Sequence, residues 1–418
     1  MKYVLVGNSA AGLFAAEAIR QQEPQAEITV LTTDTYPSYS RCLTTYYLAG
    51  DIDENQLFLR TPETLAALNL DLHNACPVTG LDPEQRLVLT TSGQRFSYDK
   101  CLIATGASAI TLDLPGSSLP QVFTLRHLEN AQKIKALLAP GRQAVIIGGG
   151  LVSLKSAYAL RKQGLDVHVI VSSGQILSQM LNPEAAFILK EHLQQHGLDI
   201  VLNSDVTAIE GLDHVESVHL SGGRTLSADL IIVGKGVRPN TSPFITSGLE
   251  IQKGILVNDR LETNLPDVYA AGDVAEAWDF IRQTRRLNAI WPNATRQGQI
   301  AGLNMTGQSL TYPGSISMNA IDFFGLRIIS VGMINPQNSS PWHTEDLRSY
   351  RSSRQPAYQR LVWQGETLKG FVLIGNTERA GILTALIQAN QPLSPSVQKC
   401  LRNGKRGEIL MHLRSNIS

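Results

Sequence analysis

The amino-acid sequence predicts an α/β fold: two interleaved Rossmann-like dinucleotide-binding domains followed by a C-terminal α+β interface domain. Three observations predict it. A glycine-rich turn, Gly7-Asn8-Ser9-Ala10-Ala11-Gly12, follows the apolar run 3–6. A second, Gly148-Gly149-Gly150-Leu151-Val152-Ser153, follows Val145-Ile146-Ile147. After Tyr312-Pro313-Gly314 the pattern changes from strands separated by helices to alternating short segments, which suits an antiparallel sheet.

The elements follow in order. Residues 3–6 form a short apolar strand, 13–21 a helix and 28–31 a second strand, then a long excursion leads to paired short strands around Leu87 and Phe96. Cys101-Leu102-Ile103 is an apolar strand that runs into the small-residue turn Ala104-Thr105-Gly106, and Pro115-Gly116 punctuates the chain. The pattern then repeats: a helix over 128–138, the second glycine turn, a helix reaching 163, a strand over 167–171 and a later strand over 230–233. The first unit resumes at Asp267-Val268-Tyr269-Ala270-Ala271-Gly272-Asp273 and continues into a helix through 297–304. Strands over 327–331, 358–362 and 368–374 with a helix over 380–388 complete the chain. The domain boundaries are therefore 1–112 with 255–313, 113–254, and 314–418. The apolar-rich run 316–324 is expected to face inward.

Bulk properties narrow the function. A chain of 418 residues is long enough for two to four domains with real cores. Its 36 basic and 36 acidic residues balance, which argues against a nucleic-acid or acidic-membrane surface and for a small-molecule or protein partner. The first strand begins at Tyr3, and no uninterrupted apolar stretch approaches about 18 residues, so the chain reads as cytoplasmic. The four cysteines, Cys42, Cys76, Cys101 and Cys400, contain no Cys-x-x-Cys pair, and the histidines have no metal-ligand spacing. No metal site is expected.

The two turns carry the chemistry. Between a buried strand and a helix, glycines allow a tight turn and close backbone approach, so that a pyrophosphate rests on the positive helix N-terminus. Ser9 replaces the middle glycine of the first turn and Ser153 the last of the second; both are small enough to fit. One such turn suggests a dehydrogenase, whereas two suggest a pair of redox nucleotides.

With these motifs the chain resembles the FAD-dependent pyridine nucleotide-disulfide oxidoreductase superfamily, which has the glutathione-reductase-like fold. The resemblance rests on an ordered series: the first turn, Ala104-Thr105-Gly106, the second turn, Gly236-Val237-Arg238-Pro239-Asn240, Ala271-Gly272-Asp273, and Trp291-Pro292-Asn293-Ala294 with Gln297-Gly298. Within the superfamily it looks most like NAD(P)H reductases of electron carriers, such as rubredoxin reductases and the FAD part of nitrite reductases, through Tyr39-Ser40-Arg41. The resemblance implies FAD and NAD(H) or NADP(H) as cofactors, an iron–sulfur or rubredoxin-like carrier protein as partner, and a homodimer.

It also implies residue roles. Gly7, Ala11 and Gly12 hold the FAD pyrophosphate, with Ala104, Thr105, Gly106 and Gly272 beside it, and the backbone of Val78 reads the adenine. Thr32 occupies the usual place of the ribose-binding acid. Asp34, about 20 residues past Gly12, is the nearest carboxylate and is assigned that role; otherwise it is a turn aspartate before Tyr36-Pro37. Arg41 and Arg126 match arginines that contact FAD, although as surface arginines they would need no explanation. Asp273 matches the acid that binds the ribityl chain. Trp291 begins the helix aimed at the flavin pyrimidine. Gly148, Gly150, Leu151, Val152 and Gly236 are assigned to the nicotinamide coenzyme.

Three departures stand out. Ser172-Ser173 follow the strand ending at Val171, where NAD-preferring relatives often carry Glu, and no arginine pair replaces it, so NADH versus NADPH stays open. Lys155 stands where relatives commonly place Glu; a cation in a helix's first turns opposes the macrodipole, so something must offset it. Cys42 stands where carrier reductases usually show proline, while single-cysteine NADH oxidases and coenzyme A disulfide reductases place a redox cysteine there. Cys42 and Lys155 are thus the candidate catalytic residues. The alternatives to carrier reduction are Cys42-based reduction of oxygen, coenzyme A disulfide or persulfides, and a redox-sensing flavoprotein.

Overall fold

The computed structural model describes residues 1–336, 340–352 and 355–403. Residues 404–418 of the expected 314–418 domain lie outside the described residues. Met1–Gly148, Val152–Val167 and Val206–Ile316 form one compact unit; Gly149–Leu151, His168–Asp205 and the chain from Ser317 form another.

In the first unit β1 (Lys2–Val6) leads into α1 (Ala10–Gln22) and β2 (Glu27–Leu31). A short helix α2 (Thr44–Leu48) lies in the excursion that follows. Strand β3 (Lys100–Ile103) pairs parallel with β1, placing Val4 opposite Cys101 and Leu5 opposite Leu102. The five-stranded sheet is closed by Asp71–His73 beside β2 and by Val268–Ala270 beside β3. Tyr3 through Val6 and Cys101 through Ile103 are all buried, because helices cover both faces of a parallel sheet; that is why these strands read as unbroken apolar runs.

Farther along come α3 (Leu128–Ala136), β4 (Gln143–Ile147) and α4 (Leu151–Lys162), and β5 (Leu230–Val233) pairs parallel with β4. A hairpin of β6 (Ala275–Asp279) and β7 (Thr284–Arg286) precedes α5 (Trp291–Met305), which has a proline in its first turn. Helices α1 and α5 cross in direct backbone contact. A Cβ on Gly298 would lie 2.1 Å from the Ala11 carbonyl oxygen, and one on Gly302 would lie 2.6 Å from that of Ala15. These small residues fix the start of α5 against the first glycine turn.

The second unit has a five-stranded antiparallel sheet in the order Met318–Phe323, Leu326–Gly332, Thr367–Ile374, Gln355–Gln364, Trp342–Ser352. Leu361, Val362, Trp363, Phe371 and Ile374 form its core, and the helix Ala380–Ala389 packs on it. Two sequence readings need adjustment. From Leu368 to Ile374 every residue is buried, because this strand lies in the sheet interior with cover on both faces. The run 316–324 does not face inward as a whole: it supplies an edge strand, in which Ile321 and Phe323 are buried while Ala320 and Asp322 are exposed.

Candidate active site

The first glycine turn is built by contact rather than by flexibility alone. Gly7 has φ +122°, and a Cβ there would meet the Ala104 carbonyl oxygen at 2.1 Å; a Cβ on Gly12 would meet the Gly7 carbonyl oxygen at 1.9 Å. Any larger residue at position 12 therefore separates α1 from β1. Ser9 is the N-cap of α1 and makes no side-chain capping bond, so the hydroxyl does not compete for the first-turn amides that suit a phosphate.

The turn Ala104-Thr105-Gly106 is stitched to the segment that begins at Gly236. Thr105 Oγ1 donates to the Asn240 carbonyl at 2.9 Å, Asn240 Nδ2 donates to the Thr105 carbonyl at 2.9 Å, and Asn240 N–H donates to the Gly106 carbonyl at 3.0 Å. Two of the sequence motifs, 135 residues apart, thus share one junction.

Two ion-paired groups flank this junction. Arg126 Nη2 lies 2.8 Å from Asp273 Oδ2, and its Nε donates to the Ala107 carbonyl. Arg41 Nη2 lies 2.6 Å from Asp34 Oδ2, while Arg41 Nη1 donates to the Arg126 carbonyl at 2.8 Å. His127 Nδ1 sits 3.2 Å from Asp34 Oδ1 and 3.1 Å from Arg41. Burial alone would raise the Asp34 carboxyl, but His127 and Arg41 outweigh it and hold the group below its ordinary value. Both Asp34 oxygens are therefore engaged within the protein. His127 escaped the sequence reading; its only signal was adjacency to Arg126. Thr32 is buried at the end of β2, and its hydroxyl accepts from the Asp34 N–H. Val78 opens the strand Val78–Asp82, half-buried against the core.

Asp273 lies in the turn Gly272–Val274, where Gly272 has φ +82°. Gln297 Oε1 accepts from the Gly272 N–H at 2.8 Å, which ties that turn to α5 and its first residue, Trp291.

Cys42 sits in the single turn Arg41–Leu43 that precedes α2 and is exposed. It nevertheless has protein atoms crowded around it: loss of solvent, then the negative charge of Asp273, pushes the thiol above its ordinary value, with Arg126 and Lys155 pulling the other way. The Asp273, Arg126 and Lys155 charges thus all act on one thiol, and the net result disfavours the thiolate.

Lys155, in the first turns of α4, donates to the Tyr46 hydroxyl at 2.5 Å, and its Nζ lies 3.8 Å from the centroid of the same ring. The offset expected for a lysine at a helix start is therefore an aromatic ring and a phenol oxygen. Next to it, Lys135 of α3 caps the Tyr47 ring at 3.6 Å. Thr45 lies between these tyrosines and Thr44, with a buried Oγ1 that has no hydrogen-bond partner.

At the second turn, Gly148 has φ +123°, and a Cβ there would meet the Gly234 carbonyl oxygen at 2.4 Å. Ser153 Oγ donates to that same carbonyl, so the serine replacing the last glycine is used as a strap. Around Gly150 there is open space, and Val152 is exposed. Leu151 begins α4, and Gly236 has φ +99°. Ser172, Ser173 and Gly174 are exposed beyond Val171, and no charged side chain occurs from 172 through 183. Among the described residues no group of His, Cys, Asp or Glu could hold a metal ion, and no helix is long and apolar enough to cross a membrane.

The arrangement fits FAD on its own observations: a turn with no room for a Cβ at Gly7 or Gly12, an unpartnered buried hydroxyl at Thr45, and the charge pairs at Asp34 and Asp273.

Comparison with known proteins agrees. Residues 1–298 match the family model "Pyridine nucleotide-disulphide oxidoreductase", and residues 318–391 match "Rubredoxin NAD+ reductase C-terminal domain". The chain is 34% identical over 405 residues to the NADH-dependent phenylglyoxylate dehydrogenase subunit epsilon of Aromatoleum evansii, covering 96% of this chain and 95% of that one. It is 31% identical over 316 residues to the rubredoxin-NAD(+) reductase of Ectopseudomonas oleovorans, covering 75% of this chain and 82% of that one. A solved structure of a NAD-dependent persulfide reductase from A. fulgidus superposes with a TM-score of 0.87 at 27% identity, covering 94% of this chain and 77% of that one.

Proposed function

The chain belongs to the pyridine nucleotide-disulphide oxidoreductase family, and from that premise we propose that it moves electrons between NAD(P)H and a small iron–sulfur or rubredoxin-like carrier protein. It is an FAD-dependent oxidoreductase that uses a nicotinamide coenzyme. The observation that carries the carrier reading is the match of residues 318–391 to a rubredoxin-reductase C-terminal domain.

Bound FAD supplies the conversion between hydride transfer, two electrons at once, and single-electron transfer. The balance is one NAD(P)H and two oxidised carriers giving NAD(P)⁺, a proton and two reduced carriers. The protein's part is placement. Gly7, Ala11 and Gly12 bring backbone amides to the FAD pyrophosphate, with Ala104, Thr105, Gly106 and Gly272 lining the approach and Val78 at the adenine. Asp273 would bind the ribityl chain, and Arg126, paired with it, would contact FAD. Asp34, held by Arg41 and His127, would bind the adenosine ribose. The N-terminus of α5 at Trp291 would favour negative charge on the flavin pyrimidine, and Lys155 would add a cation near the flavin. Gly148, Gly150, Leu151, Val152 and Gly236 receive the nicotinamide coenzyme. The domains take the boundaries 1–112 with 255–313, 113–254 and 314–418, and the active form is a cytoplasmic homodimer.

Anaerobic mixing with NADH, then with oxidised rubredoxin, tests the reading. Two rubredoxins reduced per NADH support it; flavin reduction with no transfer to rubredoxin or to a [2Fe–2S] ferredoxin contradicts it. A second reading, reduction of a persulfide or disulfide at Cys42, draws on the structural likeness to a persulfide reductase and on the nearby Lys155 charge.

A further inference from the structure

The structure assigns Tyr46 a positioning role in flavin reduction: its ring and hydroxyl hold the Lys155 ammonium beside the flavin without neutralising it, which raises the flavin's reduction potential. This rests on the placement of Lys155 near the flavin proposed above and names the residue that keeps it there.

Lys155 is a half-buried cation held by an aromatic side chain in place of an acid. Its Nζ donates to the Tyr46 hydroxyl at 2.5 Å and lies 3.8 Å from the centroid of the same ring. No carboxylate pairs with it among the described residues, whereas Lys162 of the same helix pairs with Asp51, and Lys133 of α3 pairs with Glu129. The difference decides what the charge can do. A carboxylate would cancel most of the ammonium's field a few ångströms away; a phenol attracts the cation through a lone pair and a ring quadrupole and leaves its net charge intact.

That charge acts on the region assigned to FAD. Lys155, Arg126 and Asp273 all influence the Cys42 thiol, and the Arg126–Asp273 pair is the one placed at the cofactor. Tyr46 follows Thr45 on α2, whose buried Oγ1 has no hydrogen-bond partner. A thiol, an orphan hydroxyl and the Lys155 cation therefore gather around the segment 42–46.

The segment is also fastened. Besides the Tyr46–Lys155 contact, two turns farther along α4, Gln163 Nε2 donates to the Ala49 carbonyl at 2.8 Å and Lys162 pairs with Asp51. Lys135 of α3 covers the neighbouring Tyr47 ring at 3.6 Å. With α2 tied to α4 on one side of Tyr46 and to α3 on the other, its ring meets Lys155 at a fixed place near the start of α4, where the second glycine turn would deliver the nicotinamide coenzyme. Hydride transfer adds negative charge to the flavin, so a cation kept there favours the reduced form.

The test is the midpoint potential of the bound flavin, measured on the FAD-loaded protein by anaerobic equilibration with a reference dye and no carrier. Lys155→Met is expected to lower the equilibrium constant for flavin reduction about tenfold, which is about 30 mV for two electrons. Tyr46→Leu, which removes ring and hydroxyl, should lower it about three- to tenfold, and Tyr46→Phe, which keeps the ring, by less. In the Lys155→Met background neither change at Tyr46 should add to the fall, because both act through the ammonium. If Tyr46→Leu fails to hold FAD, Tyr46→Phe with and without Lys155→Met completes the same cycle. A potential unmoved by changes at Tyr46, or lowered equally with and without Lys155, overturns the positioning role while leaving Lys155 beside the flavin. A potential unmoved in Lys155→Met removes Lys155 from the flavin and overturns the role of Tyr46 with it.

Discussion

The two glycine turns have the same strand-turn-helix plan and the same tight entry, Gly7 against the Ala104 carbonyl and Gly148 against the Gly234 carbonyl, and differ in what lies beyond that entry. At the first, a Cβ on Gly7 or Gly12 would overlap a backbone carbonyl, and ion pairs at Asp34 and Asp273 crowd the surroundings. At the second, Gly150 faces open space, Val152 is exposed, and the loop beyond Val171 has no charge from 172 through 183. The difference matches the two roles proposed for them. A resident cofactor needs many fixed contacts, whereas a coenzyme that must leave after each turnover needs fewer.

Four changes break or sharpen that contrast. Gly12→Val forces a side chain into the Gly7 carbonyl and should destabilise the native state by on the order of 3 kcal/mol; the purified protein should carry almost no flavin by absorbance. Retention of stoichiometric FAD would mean that the first turn is not the cradle. Arg126→Ala removes one charge-assisted bond to the partly buried Asp273 and should weaken FAD binding about 10–100-fold, read by fluorescence titration of apoprotein; unaltered affinity would return Arg126 to a structural role. For the coenzyme, the uncharged 172–183 loop predicts kcat/KM values for NADH and NADPH within about tenfold of each other, because neither an acid repels nor an arginine binds a 2′-phosphate. Ser172→Asp should depress NADPH alone, by on the order of tenfold or more, and an equal effect on NADH would remove Ser172 from the ribose site. The smallest effect belongs to Gly150→Ala, expected to alter thermal stability by less than about 0.5 kcal/mol; a loss comparable to that of Gly12→Val would show that the second turn is as tightly built as the first.

Most of the architecture was legible because it rests on local chemistry. Tyr3 to Val6 followed by Gly7 and Gly12, or Gly272-Asp273 after Val268–Ala270, can be read within about fifteen residues. The helix Pro183–Gln195 was not read, although Pro183 at its start is an ordinary N-terminal signal. What escaped altogether depends on contacts across the fold. Tyr46 answers Lys155 from 109 residues away, and His127 meets Asp34 across 93. The rule that a helix-start lysine needs compensation foretold a partner for Lys155, and no sequence pattern could say that it would be a tyrosine.

The central claim is that electrons leave the flavin directly for a carrier, with Cys42 a bystander. Its thiol is pushed up by loss of solvent and by Asp273, so little thiolate is present at neutral pH. Cys42→Ser preserves volume but cannot form a mixed disulfide. The decisive measurement is NADH-dependent reduction of rubredoxin by this variant, with flavin content and the rate of flavin reduction recorded in the same preparation. The account predicts that most of the carrier turnover survives, with at most a shift in the flavin spectrum. Loss of carrier turnover with flavin content and flavin reduction intact would contradict it and make Cys42 an obligate relay.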